Sequence, residues 1–179
     1  FPEFFYYQHL PHLVVMALHK LLLGLPDPYL FFNAVRYALL VAFPFTVFWS
    51  MRRMGFTPIA SAFGAAASPL IHSEPGFGLE YGSYIWRGYG LFTQLFGAHL
   101  LVITMARVRG VLETGHGRRL AALAFAALAL SHLVYAYMMG ITVLVLLALG
   151  IRRGLRRQLR DIAFVGAVTL ALSAYMVIP

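Results

Sequence analysis

Two carboxylates and a histidine in one short stretch, His72, Glu74 and Glu80, are the residues of this sequence best suited to reaction chemistry. A carboxylate can take the proton from an attacking hydroxyl, and carboxylate and imidazole together can hold a divalent cation that neutralises a leaving phosphate. On that reading Glu74 and Glu80 are catalytic, and His72, Glu74 and Glu80 hold a cation such as magnesium or manganese. Gaps of one residue and then five are not diagnostic of a metal site, and a solvated loop explains the same acids equally well.

A second set of polar residues suits binding. Asn33 and Arg36 stand three apart, on one face of a helix, and Arg36 lies ~10 Å along it at about 1.5 Å per residue. A guanidinium matches a phosphate bidentately, and a charge at that depth in an apolar segment faces a polar cavity, a substrate or an acid on a neighbouring helix. His9 and His12 are also three apart, with His19 seven further along the face of His12. Without a carboxylate at a fixed offset this pattern suits an amphipathic interfacial helix with histidines turned to water better than zinc. Tyr7, among Phe4, Phe5 and Tyr6, could stack on a ring or belong to an aromatic belt. Arg87, beside Trp86, could hold a lipid phosphate, and His132 is the lone histidine of a long apolar run.

The elements that carry these residues are apolar helices. Of the 179 residues 61% are hydrophobic and 11% charged, and the mean hydropathy is +0.78. A bilayer accepts that much apolar surface when every backbone polar group is paired internally, in helices or a closed barrel. Barrel strands alternate apolar and polar residues over about ten positions, and 121–130 and 141–149 show no such alternation. The fold class is therefore all-α, a polytopic membrane bundle with the lipid bilayer as its first partner. The net charge of +8 is spread in pairs at the ends of apolar runs, a topology signal rather than a nucleic-acid surface. The absence of cysteine excludes disulfides and thiolate metal sites.

Along the chain, 9–25 is too short for a span of about 20 residues and reads as an interfacial or re-entrant helix. A full span at 29–50 contains Pro44, expected to kink it, and ends at Arg52 and Arg53. The segment 57–71, rich in Ala, Gly and Ser, is expected to be a short helix buried among others. The aromatic, glycine-rich stretch 72–89 reads as an interface loop. A span at 91–105 precedes a basic connection at 107–119, and a last span starts at Ile162 after the basic run 152–160. If Arg52, Arg53, Arg107, Arg109, Arg118, Arg119, Arg152, Arg153, Arg156, Arg157 and Arg160 all face the cytoplasm, then 120–150 must cross outward and return. That requires two short antiparallel helices turning between His132 and Gly140. Glu3, Asp27, Glu74 and Glu80 then lie outside. The whole of 1–179 reads as one transmembrane domain, with 1–28 an external segment and 29–179 the bundle. Beginning at Phe1 and ending in an apolar run, it is expected to be part of a longer chain.

This order of elements resembles the GT-C class of membrane glycosyltransferases. More narrowly, FPEFFYYQHLPHLVVMALHKLLLG, FFNAVRYALL, FPFTVFWSMRRMGFTPIASAFGAAASPL, YGSYIWRGYGLFTQLFG and LALSHLVYAYM look like a bacterial membrane family labelled 6-pyruvoyl-tetrahydropterin synthase-related. No soluble pterin-synthase pattern accompanies them. The resemblance implies short helices around an outward-facing cavity, a polyprenyl-phosphate-linked sugar donor and a multi-pass place in a bacterial cell membrane. It also implies a catalytic acid in the first outer loop, upstream of Phe1, and a second acidic position in the loop that here holds Glu74 and Glu80. Arg36, Asn33, Tyr7, His9, His12, Arg87 and His132 would then bind substrate. Two other classes remain open, a transporter or flippase of a lipid-linked or anionic substrate, and a non-catalytic membrane subunit.

Overall fold

The computed structural model describes residues 8–70, 92–150 and 154–176, and all its regular structure is helical. Helix α1 spans Leu10–Leu21, α2 Pro28–Arg53, α3 Pro58–Ala67, α4 Phe92–Thr114, α5 Arg118–Ser131, α6 Leu133–Gly150 and α7 Leu155–Ser173. A 3-10 turn, Ser68–Leu70, extends α3, and another, Ala174–Met176, extends α7. Local chemistry sets the starts of α2 and α3. Asp27 and Thr57 accept a hydrogen bond from the backbone N–H three residues on, and Pro28 and Pro58 stand in the first turn, where a missing N–H costs nothing.

Contacts between helices fix the direction of each. Thr46 of α2 meets His99 of α4, and further along Arg107 of α4 lies over Trp49 of α2, so these two helices run side by side in the same direction. His132, where α5 ends, sits over Gly97 near the start of α4, while Gly150, where α6 ends, shares a pocket with Leu112 and Glu113 near the end of α4. Helices α5 and α6 are therefore an antiparallel pair, broken at His132, whose extended backbone (φ −159°, ψ 99°) ends α5. The return path that the arginine distribution demands is present. Helix α7 then follows α5, with Arg118 beside Asp161 and Thr169 donating to the Ala122 carbonyl.

Among the described residues four helices are long and apolar enough to cross a membrane: α2, α4, α6 and α7 with its 3-10 extension. Helix α5, at 14 residues, spans about 21 Å, short of a hydrocarbon core of about 30 Å. Side chains are distributed as lipid solvation requires. Val41, Phe45, Phe63, Tyr137, Leu144 and Leu149 face outward, whereas Thr93, His99, Thr104, Ser131, Gln158, Asp161 and Thr169 are buried. The largest core packs Val108, Val111 and Leu112 of α4 against Leu128 of α5, Met139 and Val143 of α6 and Val165 of α7.

Several boundaries differ from the sequence reading. Helix α4 runs more than two turns beyond Met105, because Val108, Val111 and Leu112 are core residues interleaved with the arginines, and the connection shrinks to three residues. Helix α7 begins at Leu155 rather than Ile162 for the same reason: Gln158 and Asp161 face inward between exposed arginines. Helix α2, by contrast, agrees with the expected span: it is one element with Pro44 inside it, ending at Arg52 and Arg53. Among the described residues α3 packs on α2 rather than being buried among helices. It rests on α2 with Ser61, Gly64 and Ser68, while Ile59 and Phe63 are 71% and 73% exposed. Ser61, Gly64 and Ser68 serve this close contact, while Ala62, Ala66 and Ala67 join Ile59 and Phe63 on the open side.

Candidate functional site

The bundle has two chemically different ends. At one, which we call the basic end, lie Arg53, Arg107, Arg109, Arg118, Arg157 and Arg160, brought together by the paths of α2, α4, α5 and α7. At the other lie the histidines of α1, the start of α4, the α5–α6 break and the end of α7. Of the residues singled out above, Tyr7, His72, Glu74, Glu80 and Arg87 lie outside the described residues. Arg36, Asn33, His9, His12 and His132 are described.

Helix α1 packs against the first turns of α2 and α4, with Val15 buried against Phe92 and Leu95. Its histidines face the bundle, and Leu13, Met16, Leu18 and Leu21 face outward, the reverse of the orientation expected for an interfacial helix in water. Inward-facing imidazoles find ring and carbonyl partners that lipid could not supply. His9 bonds to the Tyr175 hydroxyl at 2.6 Å, His12 packs edge-on to Phe92, and His19 Nε2 donates to the Pro26 carbonyl at 2.8 Å beside the Phe31 ring. The three therefore take three different neighbours. Burial, and after it the neighbouring His9, hold the His12 pKa below the ordinary histidine value, so at neutral pH it offers a hydrogen bond rather than a charge. Between α1 and α2 is a cavity of ≈ 250 Å³ lined by His12, Val15, Met16, His19, Pro28, Phe31 and Phe32, apolar except for the two imidazoles.

Arg36 is half-buried on α2, one turn beyond Phe32, with its guanidinium 5.1 Å from the Tyr37 ring, and Asn33 is half-buried on the turn before it. His132 caps α6 by accepting the Tyr135 N–H on Nδ1 at 3.3 Å, and its ring lies 4.2 Å from the Tyr135 ring. Its position is set by Gly97: a Cβ added there would come within 2.7 Å of the His132 Cβ. Among the described residues no three histidines or acids converge as metal ligands, and those proposed for a cation are not among them.

Two polar clusters escaped the sequence reading. In the first, His99 of α4 donates from Nε2 to the Leu39 carbonyl at 2.9 Å, and its Nδ1 accepts from the Thr46 hydroxyl at 2.9 Å. A histidine in an apolar helix must find such partners, and that requirement was the available signal. The second cluster, at the basic end, centres on Asp161, which is 1% exposed and paired with Arg118 at 3.2 Å and Arg160 at 3.4 Å. Next to it Arg157 donates to the Leu112 and Glu113 carbonyls, and Gln158 to that of Leu112, filling acceptors that the end of α4 leaves open. The signal here was that Asp161 is the one acid after Glu113 in the sequence.

No protein-family model, curated protein or solved structure matches the chain.

Proposed function

We propose that this chain is a multi-pass cell-membrane protein, with its basic end in the cytoplasm, and the membrane part of a GT-C-type glycosyltransferase that takes its sugar from a polyprenyl-phosphate donor at the outer face. The observation that carries the reading is the two-ended layout. Helices α2, α4 and α6 run toward the arginines and α5 and α7 away from them, so one orientation satisfies the positive-inside bias for every segment. The same orientation brings α1, its histidines and Phe92 at the start of α4 to the outer side. Arg36 then stands below that surface to meet a donor phosphate, and Glu74 and Glu80 act on the acceptor, alone or through a divalent cation. Support for the sugar-transfer part comes from the resemblance in sequence and from this order of helices.

The orientation has a direct test, since the chain carries no cysteine of its own. In cells, Ser83→Cys should react with an impermeant thiol reagent and Thr114→Cys should not. The opposite pattern would invert the layout and remove the outer-face site with it.

The chemistry is tested with the full-length protein in liposomes supplied with a polyprenyl-phosphate sugar. Transfer to an acceptor is expected. Arg36→Ala should raise the donor KM, whereas Glu74→Gln and Glu80→Gln should lower kcat more than they change KM. Unaltered transfer by all three variants, at normal abundance, would take these residues out of the mechanism.

A further inference from the structure

The arginines of the basic end are not all committed to structure. Arg109 pairs with Glu113 at 2.8 Å, and Arg118 and Arg160 pair with Asp161. Arg53 and Arg107 are different: among the described residues no carboxylate pairs with either. Their guanidiniums instead lie 5.6 Å and 5.1 Å from the ring of Trp49, which holds both in place without neutralising them. Both line one cavity of ≈ 330 Å³ between the ends of α2 and α4, completed by Thr114, His116 and Gly117. Glu113 also reaches this cavity, and its charge is met by Arg109. Helix α5 begins at the same wall, at Gly117, in a left-handed conformation with no side-chain cap, which adds the positive end of a helix dipole to the two cations.

We propose that this cavity binds a phosphate or phosphodiester group, and that in the membrane the group is the headgroup of an anionic phospholipid. Two fixed guanidiniums match phosphate oxygens, and a basic pocket between helices at an interface, beside a tryptophan, is where a lipid headgroup can enter sideways with its acyl chains along α2 and α4. The site is at the opposite end of the bundle from the sugar-transfer site. It rests on the helices crossing a bilayer, not on catalysis.

Trp49 provides the readout. In a Trp86→Phe background in mixed micelles it is the sole tryptophan of residues 1–179, and its emission, taken as the difference from a Trp49→Phe control, reports on the two arginines. Titrating phosphatidylglycerol should change the emission saturably and phosphatidylcholine should not. At roughly fivefold per arginine, Arg53→Gln with Arg107→Gln should move the midpoint about twenty-five-fold. Arg156→Gln, an exposed arginine at the same end that lines no part of the cavity, should move it less than about twofold. The Arg53→Lys, Arg107→Lys pair, which keeps both charges, guards against misfolding and should retain most of the affinity. Inorganic phosphate is the second arm. Saturation by millimolar phosphate, with phosphatidylglycerol no better than phosphatidylcholine, would keep the anion site and overturn its assignment to lipid. A midpoint unchanged in the double Gln variant, or shifted equally by Arg156→Gln, would overturn the site itself. Because this assay needs no sugar donor, its failure and a failure of the transferase reading are separable.

Discussion

Arg118→Ala should destabilise the bundle by about 2–3 kcal/mol, more than Asp161→Asn, although the aspartate is the more deeply buried of the two. The reason is what each change leaves behind. The Asp161 side chain is 2% exposed, and with Arg118 gone its ion pairs reduce to Arg160, whose side chain is 71% exposed and reaches it at 3.4 Å through Nε. A buried carboxylate with a weak, solvated partner carries most of its desolvation cost. With Asp161 made neutral, Arg118 is left 41% exposed and can turn to water, so the loss is that of the hydrogen bonds, about 1 kcal/mol. The upper figure for breaking a buried pair does not apply in full, because both arginines are partly in solvent. Removing both partners together should therefore cost less than Arg118→Ala alone. A double-mutant cycle of unfolding in detergent measures this directly. Equal single effects that simply add would mean that the pair does not hold α5 to α7.

The expected coupling explains part of what could be read in advance and what could not. Hydropathy locates apolar segments well, and charge parity requires the turn between α5 and α6 that His132 makes. Neither locates helix ends where a helix is charged on one side and buried on the other. Val108, Val111 and Leu112 alternate with Arg107 and Arg109, so the run looked like a connection while its inner face is core. Gln158 and Asp161 do the same for α7 with polar residues, a pattern that no hydrophobic period can reveal. The face of α1 is not legible in the sequence, because a histidine suits water and a buried hydrogen-bond partner equally well. Here the imidazoles of His9 and His19 reach the Tyr175 hydroxyl and the Pro26 carbonyl. Of the candidate site, Arg36 and the histidines could be picked out as residue types, but the roles of Glu74 and Glu80 depend on a stretch outside the described residues.

Gly97→Ala should cost about 2–3 kcal/mol, while Gly64→Ala should be close to neutral, although both add the same methyl to a helix interior. In both cases alanine recovers about 1 kcal/mol of helix propensity. The difference lies in what the new Cβ meets. At Gly64 it would fall on the Sδ of Met51, the far end of a flexible side chain that can rotate off α3 toward the open side of that helix. At Gly97 it would come within 2.7 Å of the His132 Cβ and 3.1 Å of the Tyr135 ring. A Cβ cannot move without its backbone. His132 is the residue at which the chain reverses, held by its own bond to the Tyr135 N–H, so making room means shifting the whole α5–α6 turn away from α4. Thermal unfolding of the two variants should separate them by several degrees, with Gly97→Ala the lower. If the proposed transferase reading holds, Gly97→Ala should also depress sugar transfer in the liposome assay, because the displaced turn and the start of α4 form the end of the bundle where that reading puts the site. Equal melting temperatures would show that the turn is loosely seated, and a Gly97→Ala protein with full transfer would place the reacting groups away from His132.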